Sequence, residues 1–165
     1  MNGQQRDSQR SRVYAAEQFL RNLFDHRDQY GPVIDFLGTA ITLPPEKKFS
    51  SLQEVEHYVN TVVTLAVIRQ QWGEIKPIYV RARRGHKAAH YEIREGRAYI
   101  ALNDDINGWG MRELVVLHEL AHHLCGGEHG HDEQFTHTFT QLVEIMIGPE
   151  AGYLLRILFS YEQVQ

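Results

Sequence analysis

Apolar positions along the chain change period several times, and the changes mark out the elements. Val13, Ala16, Leu20, Leu23 and Phe24 recur at helical spacing. They predict a helix running to about His26, with Asp7 or Ser8 as its cap. Tyr30-Gly31-Pro32 ends it. Val33 to Leu43 carries Ile34, Phe36, Ile41 and Leu43 and reads as an extended strand, broken near Gly38 and stopped by Pro44-Pro45. Ser51-x-x-Glu54 is a capping box. It opens a long helix, about Leu52 to Gln71, with Leu52, Val55, Val59, Val62 and Ala66 on one face. Trp72-Gly73 closes that helix. His57 has polar neighbours and reads as solvated surface.

The period then drops to two. Ile78, Val80 and Ala82 alternate with Tyr79, Arg81 and Arg83. Ala88 to Arg94 and Arg97 to Asn103 flank Glu95-Gly96, a hairpin turn. After the turn-rich loop Asp104 to Gly110, helical spacing returns from Met111 to about Cys125, with apolar residues all round. Such a helix is buried. Gly126-Gly127 terminates it. Two more helices follow, His131 to Ile147 and Pro149 to about Tyr161, with Pro149 suited to a first turn. The sum is an α+β chain: helices packed on a small mixed or antiparallel sheet of about three to four strands. Residues 1–6 read as a flexible tail and 7–165 as one domain.

Composition narrows the classes. Hydrophobic residues make up 42% of the 165, enough for a core, and the net charge of −4 announces no nucleic-acid or anionic-membrane partner. Arg81, Arg83, Arg84 and Lys87 form the one basic cluster, which reads as a solvated strand edge resistant to aggregation. Cys125 is the single cysteine, so no intrachain disulfide forms, and a small buried role at the helix end suits it. The first residues lack a signal-peptide core, and no run of 18 apolar residues marks a membrane span. A cytoplasmic protein is the expectation.

The chemistry sits in the buried helix, in Leu117-His118-Glu119-Leu120-Ala121-His122-His123-Leu124. His118 and His122 are one helical turn apart on one face, so two imidazoles can bind one metal ion from the same side. Glu119 lies roughly 100° further round, within reach of a water on that metal without ligating it. This is the physical content of the His-Glu-x-x-His motif of zinc hydrolases. Burying these polar groups is costly without partners, and a metal supplies one. A catalytic zinc site takes a third protein ligand. The candidates are Glu128, His129, His131, Asp132, Glu133, His137 and Glu144. His137 and Glu144 lie roughly 180–200° round their helix from Phe135, away from its apolar face. His131 lies near that face, four residues before Phe135. His129, in the loop, stays open.

His118-Glu119-Leu120-Ala121-His122 followed by Gly130-His131-Asp132-Glu133-Gln134-Phe135 resembles the minimal zincin proteases of the SprT-like kind. Arg6-Asp7-Ser8-Gln9-Arg10, Val13-Tyr14-Ala15-Ala16-Glu17 and Gly148-Pro149-Glu150-Ala151-Gly152 extend the likeness to most of the chain. In that wider stretch it is similar to small metallohydrolases of actinobacteria and their phages, a family defined by this motif. The resemblance implies a zincin-like fold with the motif on a central helix, one Zn2+ per chain, and His131 as the third ligand. The metzincin pattern is not met, because Cys125 and Glu128 stand where it has glycine and histidine. In thermolysin-like and phage-repressor-cleaving types the third ligand is a downstream glutamate, a part open to Glu133 or Glu144.

The expected activity is a zinc metallopeptidase acting on a peptide or protein. Glu119 accepts a proton from a water made acidic by zinc and delivers it to the leaving amine. Tyr153, His123 and His137 are candidates for stabilising the transition state, Tyr153 foremost. The resemblance implies substrate addition to an edge strand, with Tyr99, Ile100, Ala101 and Leu102 as that edge. The alternative is a non-catalytic zinc-binding module of the same fold. A DNA-coupled protease ranks below both, since no zinc ribbon or strong basic patch is present.

Overall fold

A computed structural model describes residues 7–85, 89–105, 109–127 and 130–165. The tail 1–6, Lys87, Ala88, part of the loop 104–110, and the ligand candidates Glu128 and His129 lie outside the described residues. In chain order the elements are α1 (Arg10–Tyr30), β1 (Val33–Phe36), β2 (Thr39–Thr42), α2 (Leu52–Thr64), α3 (Ala66–Trp72), β3 (Ile78–Ala82), β4 (Ala89–Arg94), β5 (Arg97–Leu102), α4 (Glu113–Leu124), α5 (Glu133–Met146) and α6 (Pro149–Tyr161). The class is α+β, with six helices, a two-stranded sheet and a three-stranded sheet among the described residues. No described helix is long and apolar enough to cross a membrane. The chain divides into two compact units, Met1–Pro45 with His129–Gln165, and Glu46–Glu128.

In the first unit α1 buries Val13, Ala16, Leu20 and Phe24, the stripe its sequence spacing predicts. Its cap departs from expectation. Gln9 is the N-cap and makes no side-chain cap hydrogen bond, while the Asp7 carboxylate turns to His131. The expected strand Val33 to Leu43 folds back on itself at Leu37-Gly38, and β1 pairs antiparallel with β2. Asp35 Oδ1 accepts from the Gly38 N–H at 3.1 Å and holds that turn. Helix α5 starts where Asp132 Oδ1 accepts from the Phe135 N–H at 3.0 Å. It buries Phe135, Phe139, Leu142 and Val143. Helix α6, with Pro149 in its first turn, buries Ala151, Leu154, Leu155 and Leu158. Both α1 and α5 pack on α6.

In the second unit the capping box forms by half. Ser51 Oγ accepts from the Glu54 N–H at 3.2 Å, but the Glu54 carboxylate accepts from the Ser50 N–H and hydroxyl. The single long helix expected over Leu52–Gln71 breaks at Leu65, which is extended at φ −62°, ψ 136°. The cause is local. Thr61-Val62-Val63-Thr64 is a β-branched run of weak helix formers, and the Thr61 and Thr64 hydroxyls donate back to preceding carbonyls.

The three strands order as β3-β5-β4, with β5 parallel to β3 and antiparallel to β4. Glu95 and Gly96 both take positive φ, 49° and 76°, the geometry a two-residue hairpin turn demands. This order corrects the edge-strand expectation. Tyr99, Ile100 and Ala101 lie on the central strand, with ladders on both sides, and Ile100 and Ala101 have no exposed surface. A strand paired on both sides has no backbone groups left for a substrate strand. The edges belong to β3 and β4.

Helix α4 packs against β4, β5 and α2 and is buried from Glu113 through Ala121. Its N-terminus is held by residues 46–49. Leu114 N–H donates to Glu46 Oε2 at 2.9 Å, and Arg112 Nε donates to Glu46 Oε1 at 2.8 Å. Tyr58 donates to Glu113 Oε1 at 2.5 Å, and the Lys47 N–H donates to Glu113 Oε2 at 2.9 Å. A carboxylate on the first N–H groups of a helix both satisfies them and meets the positive end of its dipole. Burial nonetheless pushes the Glu46 carboxyl above its usual range, against the pull of Arg112. Burial beside Glu113 pushes the Tyr58 hydroxyl far up, so it stays a donor.

Candidate metal centre

Helix α4 delivers two imidazoles to one face. The His118 and His122 rings meet edge-on with centroids 5.2 Å apart, as one-turn spacing requires. His118 is buried, and so is Glu119, the next residue in the chain. Tyr91 of β4 stacks near His122 at 6.4 Å between centroids, with the planes 24° apart. The end of the helix explains the glycines. Gly127 takes φ +76°, and its N–H donates to the His122 carbonyl at 2.9 Å. A Cβ there would meet the Tyr91 ring at 2.9 Å, so glycine serves both the turn and the close approach of Tyr91.

His123 has a different task. Its Nε2 lies 2.7 Å from the Lys76 carbonyl and its Nδ1 lies 3.0 Å from the Tyr91 hydroxyl. The carbonyl accepts only, so Nε2 carries the proton and Nδ1 accepts from Tyr91. Burial holds the His123 pKa below the usual histidine range, which suits a neutral ring. Burial likewise raises the Tyr91 hydroxyl. His123 is thereby committed to joining α4, β4 and the segment before β3. Beside it lies a cavity of about 420 Å3, lined by Trp72, Lys76, Tyr91, Ile93 and His123.

His131 precedes the Asp132 cap of α5 and is buried, 6% exposed. Its Nδ1 lies 2.5 Å from Asp7 Oδ2, and its ring packs between Tyr14 and Phe135. His118, His122 and His131 each offer a ring nitrogen, and these atoms lie within 4.8 Å of one another. Among the described residues this is the one group of three or more His, Cys, Asp or Glu side chains suited to a metal ion. Three neutral imidazoles form a donor set that fits zinc and its first-row neighbours.

Among the described residues, the other candidates fall outside this group. His137 is exposed, and Glu144 pairs with Arg156 on α6. Glu133 is exposed in the first turn of α5. Tyr153 is 53% exposed on α6. Asp7 and Tyr91 touch the histidines and were missed by sequence reasoning. For Tyr91 the only available signal was an aromatic on a strand beside the motif helix. Comparison with protein-family models, with curated proteins and with solved structures returns no match.

Proposed function

We propose that the chain is a metal-dependent hydrolase, a zinc peptidase of the zincin type, with His118, His122 and His131 holding the ion. The observation that carries this reading is the grouping of three histidine nitrogens within 4.8 Å, with Glu119 beside the first of them on a buried helix. A zinc ion held there supplies Lewis acidity, which makes water nucleophilic near neutral pH. Glu119 is the general base. It takes the proton from the attacking water and returns it to the leaving amine, a role for which a buried carboxylate is suited. The substrate strand would add to β4, which among the described residues has β5 on one side only, and a substrate side chain would enter the cavity at Trp72 and Tyr91.

Glu119→Gln tests this. It keeps the size of the side chain and removes the base. Hydrolysis of labelled denatured proteins and peptides should fall about 100-fold or more, while zinc content by elemental analysis stays at that of the wild type. Wild type and Glu119→Gln equally inert across such substrates would overturn the enzyme reading and leave a metal-binding module.

A further inference from the structure

We propose that Asp7 is the positioning carboxylate of the metal centre, and that residue 130 is glycine so that Asp7 can reach His131. The inference rests on the metal-site reading above. Asp7 Oδ2 lies 2.5 Å from His131 Nδ1 and 3.2 Å from the His131 backbone N–H. A carboxylate accepts at both, so Nδ1 carries the ring proton and the lone pair of the neutral imidazole sits on Nε2. Fixing the tautomer selects the ligating atom, and the hydrogen bond makes that atom more basic. The second contact, to the backbone, sets the direction of the whole residue.

Three further features hold the arrangement. Gln9 Nε2 donates to the His131 carbonyl at 2.9 Å, so Asp7 and Gln9 grip both backbone groups of one residue. Tyr14 of α1 and Phe135 of α5 pack on the His131 ring at 5.4 and 4.9 Å between centroids. A Cβ on Gly130 would meet Asp7 Oδ2 at 3.0 Å and Cγ at 3.1 Å. The Gly130 backbone lies outside the left-handed region. An alanine there would press on the Asp7 carboxylate without straining its own φ. Helix capping does not account for Asp7, since the α1 cap is Gln9.

The test is zinc affinity, measured by competition against a chromophoric chelator on the full chain. Asp7→Asn should bind zinc about 10–100-fold more weakly than wild type. Gly130→Ala, which keeps the carboxylate but crowds it, should weaken zinc in the same direction. The double variant should bind no more weakly than Asp7→Asn, because both changes act on one contact. Thermal melts separate positioning from simple stabilisation. Asp7→Asn should lower the midpoint of the zinc-loaded protein more than that of the metal-free protein. Unchanged zinc affinity in Asp7→Asn, or equal midpoint losses with and without zinc, would overturn the proposal. Failure of the underlying reading looks different: wild type, His118→Ala and His131→Ala would then bind zinc equally weakly.

Discussion

Arg112 and Glu46 carry opposite charges where neither meets much water, with side chains 7% and 0% exposed. Removing one partner from such a pair strands the other charge, which costs about 3–5 kcal/mol. Arg112→Met should therefore lower the unfolding free energy by about that amount in urea titrations. The double variant Arg112→Met with Glu46→Gln removes both charges and keeps an oxygen for the Leu114 N–H. It should lose less than Arg112→Met alone, and an equal loss would deny that the stranded charge is the cause. Neither residue was legible as a pair, since they are 66 positions apart. His118, Glu119 and His122 were legible, because one turn of helix brings i and i+4 together whatever the rest of the chain does. Asp7 was misread. An aspartate just before an apolar stripe looks like a cap, and nothing local reveals that it bonds a histidine 124 positions away.

Among the elements, the three-stranded sheet is held across its centre. Arg81 of β3 and His90 of β4 both register with Ala101 of β5. The small Ala101 side chain lets Arg81 reach over β5 to Glu92, with His90 Nε2 2.9 Å from the same carboxylate. The Arg81 hydrogen bond, helped by His90, brings the Glu92 carboxyl from 4.5 down to about 2. The unfolded chain takes up that proton near 4.5, whereas the folded chain resists until about 2. The unfolded state thus binds more protons in this window, and stability is lost as pH falls through it. The urea midpoint of wild type should exceed that of Glu92→Gln above about pH 5, and the gap should shrink toward pH 2. A gap independent of pH would show that the ion pair is not its source. The basic cluster thus reads in part as this strand-crossing pair. Helix positions and the hairpin turn were legible from period and glycine placement. The break at Leu65 was not, because the apolar face runs on through it.

For the whole molecule, the metal reading makes stability depend on zinc. A ligand that binds only the folded state stabilises it by about 2.7 kcal/mol at 100 times its dissociation constant. For a chain of this size that raises the thermal midpoint by roughly 5–10 °C. Calorimetry should show such a rise on adding zinc, its reversal by a chelator, and neither effect in His118→Ala. A wild-type midpoint indifferent to zinc would count against a site spanning all three histidines. The sequence by itself determined the α+β class, the buried motif helix, its glycine end and the proline start of α6. Each of these follows from period, capping or backbone freedom within a few residues, so no distant partner is needed. The tertiary structure alone decided that β5 lies between β3 and β4, so that Tyr99, Ile100 and Ala101 cannot be an edge. It alone brought Glu46 to the start of α4, and Asp7 to His131. Alternation along a strand says which face is buried but not which strand lies beside it. A carboxylate carries no mark of the distant group that will meet it once the chain closes.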